Sequence, residues 1–207
     1  MKRNVVEDIF LTIRPEFVLR RLGHSRLRPP PDPIFNRITG TITEARALLE
    51  PKAVYIDTEI STKNPVSSEI ELDGGFILPG TSIFRLLKDC YYATVFVGTV
   101  GRDITDESLN RAEEGRPDES FYLDTIGSEA AEELARVLHK WTHHRAKRQR
   151  ESLTARFSPG YGDLPLAVQP DLLDYVHADE IGVTCSEAFM LSPRKSISGI
   201  IGWHSKN

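Results

Sequence analysis

The sequence predicts an α+β fold in a single domain, and three observations lead there. Residues 91–97 are almost continuously apolar, the pattern of a central strand covered on both faces. From Pro117 towards Arg150, apolar residues recur at spacings of three and four, the pattern of a long helix. Shorter strand-like and helical segments surround these two without the strict βαβ alternation of a doubly wound sheet.

Composition narrows the function classes. The 207 residues can bury a sizeable core, and 40% hydrophobic with 27% charged is ordinary for a soluble globular protein. A net charge of −4 gives no reason to expect nucleic-acid binding. Cys90 and Cys185 stand far apart, which argues against a disulfide framework or a cysteine zinc site. No apolar run reaches the roughly 18 residues of a membrane span. Glu7 and Asp8 interrupt any signal-peptide core, so a cytoplasmic protein with no membrane partner is expected.

In chain order, residues 8–13 are expected as a short strand with Ile9, Leu11 and Ile13 on one face. Pro15 opens a short helix carrying Phe17, Val18, Leu19 and Leu22, and Gly23 ends it. The proline-rich residues 28–33 form an extended connection, because too few residues precede them for an independent core. Residues 34–49 predict a helix despite Thr39-Gly40-Thr41 in the middle. Residues 53–57 read as a strand that Ile60 and residues 66–70 extend or pair with, and Asp73-Gly74-Gly75 as a turn. Thr81 reads as the N-cap of a helix over residues 83–88.

After the strand at 91–97, the glycines of Gly98-Thr99-Val100-Gly101 lead into a helical pattern over residues 105–114. They lack the G-x-G-x-x-G fingerprint and are read as a plain strand-to-helix connection. On the long helix Leu123, Ile126, Ala130, Leu134, Val137 and Trp141 make one apolar stripe. Small residues at Gly127, Ser128, Ala130 and Ala131 leave room for another backbone or a ligand. Residues 168–176 predict a short helix with Pro170 in its first turn. Residues 196–203 predict a closing strand weakened by Gly199 and Gly202, or opened by them to a close neighbour.

The chemistry concentrates in Arg156-Phe157-Ser158-Pro159-Gly160-Tyr161-Gly162-Asp163. Pro159 and the two glycines stop the preceding helix, Arg156 offers a five-donor fork for a carboxylate or phosphate, and Tyr161 offers a flat face with a polar tip. A small ligand with a carboxylate and an aromatic ring fits, and a solvated surface turn is the competing reading. Arg145, Lys147, Arg148 and Arg150 either complement the helix dipole or form a basic patch for nucleic acid or an acidic partner. His139 and His143 lie at i, i+4 without an H-E-x-x-H motif, and no G-x-S-x-G elbow occurs, so neither a metal site nor a catalytic triad is expected.

Two stretches carry a family resemblance. Residues 156–166 resemble the S-adenosylmethionine-binding loop of the activation domain of cobalamin-dependent methionine synthase, whose pattern is R-x-x-P-G-Y. Residues 189–199, with Phe189-Met190, Pro193 and Ser196-Ile197-Ser198-Gly199, resemble that family's closing motif of an apolar pair, a proline and S-x-S-G. Their order and separation also match, and residues 124–138 resemble the helix before the loop. The resemblance is clearest over residues 120–203; the N-terminal half is more loosely similar to free-standing relatives.

The resemblance implies a curved, twisted antiparallel sheet with flanking helices and an S-adenosylmethionine groove. It implies reductive reactivation, in which an electron from a flavodoxin-type donor and a methyl group from S-adenosylmethionine return cob(II)alamin to methylcobalamin. By the same resemblance, Arg156 engages the ligand carboxylate, Ser158, Pro159 and Gly160 present backbone groups, and Tyr161 lies beside the ligand. Glu133 and Asp124 are candidates for its ammonium or ribose by position alone, and Asp57 and Glu59 for an acidic residue supplied near the start of the domain. Ile200 and Ile201 replace an aromatic pair of the large enzymes, so that contact is missing or passes to Trp203. The chain lacks the D-x-H-x-x-G motif that ligates cobalamin, so the corrinoid is expected on a partner: a corrinoid protein or a methionine synthase without its own activation domain. The expected activity is therefore one component of a methyltransferase in methionine biosynthesis, and the alternative is a non-catalytic S-adenosylmethionine sensor or docking subunit.

Overall fold

A computed structural model describes residues 2–205. In chain order they form β1 (Lys2–Val6), α1 (Pro15–Arg21), α2 (Asp32–Ala45), β2 (Lys52–Asn64), β3 (Glu69–Leu72), β4 (Phe76–Pro79), α3 (Thr81–Leu87) and β5 (Tyr92–Thr99). There follow α4 (Asp103–Glu113), α5 (Pro117–Arg148), β6 (Glu151–Leu153), α6 (Gln169–Val176), β7 (Thr184–Cys185), β8 (Leu191–Ser192) and β9 (Ser196–Ser205). Among the described residues, seven strands make one antiparallel sheet in the order β4-β3-β2-β5-β9-β6, with β1 pairing on β2. The two-residue strands β7 and β8 form a separate small hairpin.

The apolar run at 91–97 lies at the centre, as its composition requires. β5 pairs with β2 on one side (Val54↔Val97) and with β9 on the other (Val95↔Ile200). Ala93, Val95 and Val97 enter one core, with Val54, Ile56 and Ile200, beneath α3, α6 and the β3–β4 hairpin. Phe96 enters the opposite core, with Ala53 and Ile201, beneath α1, α2 and α5. Helices therefore cover both faces, which explains why the strand reads as apolar throughout rather than alternating. Burying Phe96 contributes about 1.5–3 kcal/mol, and a one-residue slip would send every one of these side chains to the wrong core.

α5 supplies the stripe that its sequence spells out: Leu123, Ile126, Ala130 and Leu134 are fully buried against the sheet, while Val137 and Trp141 are half-buried. Gly98 of β5 permits this approach, since a Cβ there would meet Leu134 Cδ2 at 2.8 Å. α1 docks on α5 through Glu129, a buried carboxylate that takes Arg21 Nε at 2.7 Å and also pairs with Arg136.

Three expectations change. Residues 8–13 are extended and bury Ile9, Leu11 and Ile13, but they join no strand ladder: Ile9 N–H reaches Pro51 O at 3.3 Å and Phe10 faces solvent. Alternating burial needs only a surface to lie on, and the edge position is taken by β1 instead. Thr81 is the first residue of α3 rather than its cap; Gly80 holds the N-cap position, and the exposed amides are satisfied from elsewhere, as described below. Arg145 is not part of a free basic end, because its guanidinium stacks over Tyr55 at 4.3 Å and bonds Asp57 Oδ1 at 3.0 Å.

Candidate functional site

Arg150, at φ +62°, turns the chain back after α5, and β6 aligns Leu153 with Trp203 of β9. The chain then follows β9 outward: Thr154 N–H bonds Gly202 O at 2.9 Å, and Phe157 exchanges two backbone bonds with Ile200 at 2.9 and 2.8 Å. A short strand thus intervenes where the sequence suggested a direct passage from helix to loop. At Ser158 the chain leaves the sheet edge as a compact knot. Gly160, at φ +85°, donates its N–H to Leu164 O at 2.9 Å, and Tyr161 N–H bonds Ser158 O at 3.0 Å. Phe157 and Tyr161 meet edge to face at 6.2 Å.

The knot is fastened to α3. Asp163 accepts the Thr81 N–H at 2.7 Å and the Ser82 N–H at 2.8 Å, doing from 81 residues away what a local N-cap would do. The Ser82 backbone N–H, with its side chain and the Thr81 N–H, holds the Asp163 carboxyl down to about 2. Gly162 has no room for a side chain, since a Cβ would stand 2.7 Å from Ser82 Oγ.

Between this knot, α5 and the segment from Phe189 to Ser198 lies a groove of about 690 Å³. α5 contributes Ser128, Ala131 and Glu132; the knot contributes Arg156, Ser158, Pro159 and Tyr161; Gln169 also lines it. Tyr161 and Met190 stand exposed at its lip with Phe189. Arg156 Nη2 bonds Glu132 Oε2 at 3.1 Å, so a cation and an anion are presented side by side.

Each part of the closing motif has a task here. Ser196 Oγ donates to Pro193 O at 2.6 Å and lies 2.9 Å from Thr99 Oγ1, fixing the start of β9. Ser158 Oγ donates to Ser198 O at 2.7 Å, and Ser198 Oγ donates to Gln169 Oε1 at 3.0 Å. Gly199 leaves space for two neighbours, since a Cβ would stand 2.8 Å from the Phe96 ring and 3.0 Å from Arg156 Cγ. Lys195, buried on the groove floor, bonds Asp124 Oδ1 at 2.7 Å and Ser128 Oγ at 2.8 Å. Its stem crosses α5 over Gly127, where a Cβ would come within 3.2 Å.

Of the residues named from sequence, Arg156, Ser158, Pro159 and Tyr161 line the groove together. Gly160 shapes the loop and is not among the lining residues. Asp124 borders the groove through Lys195 without lining it. Glu133 is turned away and bonds Arg136 Nε at 2.7 Å; its neighbour Glu132 takes the place beside Arg156. Trp203 is buried and donates to Thr94 Oγ1 at 2.9 Å, while Asp57 and Glu59 line a separate hollow with Arg145. Sequence reading missed Glu132, Gln169 and Lys195. Only Glu132 carried a local signal, lying one helical turn beyond Ser128 on the same face.

No family model matches the sequence, and no curated protein matches it. The structure does have a counterpart, the crystal structure of the MetH reactivation domain bound to AdoHcy. The two superpose with a TM-score of 0.71 at 15% identity, over the whole of this chain and 80% of that one. The fold is that of the MetH reactivation domain. Among the described residues of this reactivation-domain fold, no group of three or more His, Cys, Asp or Glu is placed to hold a metal ion. Nor is any helix among them long and apolar enough to cross a membrane.

Proposed function

We propose that the groove binds S-adenosylmethionine and that the chain is a free-standing reactivation module. In this reading it supports reductive methylation of cob(II)alamin on a separate corrinoid protein, or on a methionine synthase lacking its own activation domain, with a flavodoxin-type electron donor. One observation carries the reading: the R-x-x-P-G-Y loop and the S-x-S-G strand, 35 residues apart between Tyr161 and Ser196, converge on one groove in the fold whose solved counterpart is described with AdoHcy.

The arrangement suits a zwitterion. Arg156 and Glu132 neutralise each other in the groove, and an amino acid brings one carboxylate and one ammonium that can exchange with that pair. The apolar lip of Tyr161, Phe189 and Met190 covers the less polar remainder of such a ligand. In this reading a reduced corrinoid on the partner would supply the nucleophile for the sulfonium methyl, leaving S-adenosylhomocysteine with no proton to be moved. The chain therefore needs no side-chain acid or base; its residues orient the ligand and exclude water.

Calorimetric titration with S-adenosylmethionine tests binding, and addition of candidate corrinoid proteins with reductant, followed through the cobalt spectrum, tests transfer. Arg156→Ala is expected to weaken binding by about 1.5–3 kcal/mol, the worth of a hydrogen bond to a charged group. Equal affinity in wild type and variant would remove the assignment of the groove. Binding with no cobalt methylation would leave the sensor or docking role.

A further inference from the structure

We infer that Gln169 is the residue that reads the purine of the ligand, its amide nitrogen donating a hydrogen bond to a ring nitrogen of the base. This rests on the reading that the groove takes an adenosyl ligand. Gln169 is 3% exposed, yet it lines the groove. Its Oε1 is occupied by Ser198 Oγ, and Ser198 is itself held by Ser158 through its carbonyl. With Oε1 on that hydroxyl, the nitrogen is the end of the amide left to find another acceptor. Its Nε2 is buried and has no hydrogen-bond partner among the described residues. A buried donor without a partner is rare because it forfeits its water without replacement, and a polar group of a ligand is the remedy.

The chemistry of the wall says which polar group. Cations are already at hand in the same groove: Arg156, Arg194 and Lys195. An anion placed against a neutral amide instead would lack a countercharge. A neutral acceptor on a flat ring suits the amide and also suits the apolar surfaces of Pro159, Tyr161 and Leu166 nearby on the chain. An adenine offers three such ring nitrogens on its edges, at positions 1, 3 and 7.

The test titrates wild type, Gln169→Leu and Gln169→Glu with S-adenosylhomocysteine and with its 1-deaza, 3-deaza and 7-deaza analogues, after thermal unfolding has confirmed that each variant folds. One analogue is expected to bind wild type about tenfold more weakly than the parent, the worth of one hydrogen bond. In both variants the parent should lose about the same factor, and the penalty for that analogue should vanish. Variants that bind the parent as tightly as wild type overturn the inference alone. So does a deaza penalty that persists in the variants, which would mark a general structural role. Should a variant fail to fold, Ser198→Ala, which releases the amide to rotate, takes its place with the same expected loss of discrimination. A wild type that binds none of the compounds overturns the adenosyl reading, and this inference with it.

Discussion

Gly199 is the residue at which core and groove touch. Because a Cβ there would press on Phe96 and on the stem of Arg156, Gly199→Ala overpacks both. Denaturant unfolding should show a loss of about 1–3 kcal/mol, and titration a weaker ligand. Gly40 supplies the contrast. It sits inside α2 with nothing near its missing Cβ and an ordinary helical backbone, so Gly40→Ala should stabilise by about 0.4–1 kcal/mol with binding unchanged. A glycine's identity is visible in sequence, but its neighbours are not, and they decide the sign. The same holds for acids. Glu132 and Glu133 are adjacent letters, yet about 100° of helix sends one to Arg156 and the other to Arg136. Arg156, Ser158, Pro159 and Tyr161 were legible because the loop carries them together; Gln169 and Lys195 arrive from separate segments with no local motif.

Among the elements, α3 has its first turn completed by a distant loop. Its first turn holds no acidic residue, and Asp163 provides the negative charge there. The Asp163 carboxyl is held at about 2, below its ordinary 3.8, so the folded state binds its proton less readily than the unfolded chain. Its stabilisation is therefore complete above about pH 4 and fades as pH falls through about 2. Thermal unfolding of wild type and Asp163→Ala should differ most at neutral pH, with the gap narrowing steadily as the pH is lowered from 4 to 2. A constant gap would mean that the charge is not what caps the helix. Thr81 looked like a cap because its residue type is right and it precedes an apolar turn; a partner 82 residues further along the chain leaves no trace in that window. The extended residues 8–13 show the converse, a strand-like pattern produced by burial on one side without a ladder.

For the molecule as a whole, the strongest signals were those that both cores share. Residues 91–97 and the stripe on α5 were read correctly because two apolar layers must meet them, and such a demand is written into consecutive residues. The edges were harder. β1 is a short run beginning Lys2-Arg3-Asn4, and the polar character that suits an edge strand also hides it from an apolar pattern search. The order of strands, with the last one inserted beside the central one, follows from no local rule.

The bond from Asp163 to the amides of Thr81 and Ser82 has a consequence for how an empty and a filled molecule differ. Tightening the loop on a small molecule should also quieten the start of a helix that the molecule does not touch. Deuterium uptake at those two amides is expected to slow when S-adenosylhomocysteine is added and to lose that sensitivity in Asp163→Ala. Occupancy would then be announced at a surface some way from the mouth, by a change in breathing rather than in shape.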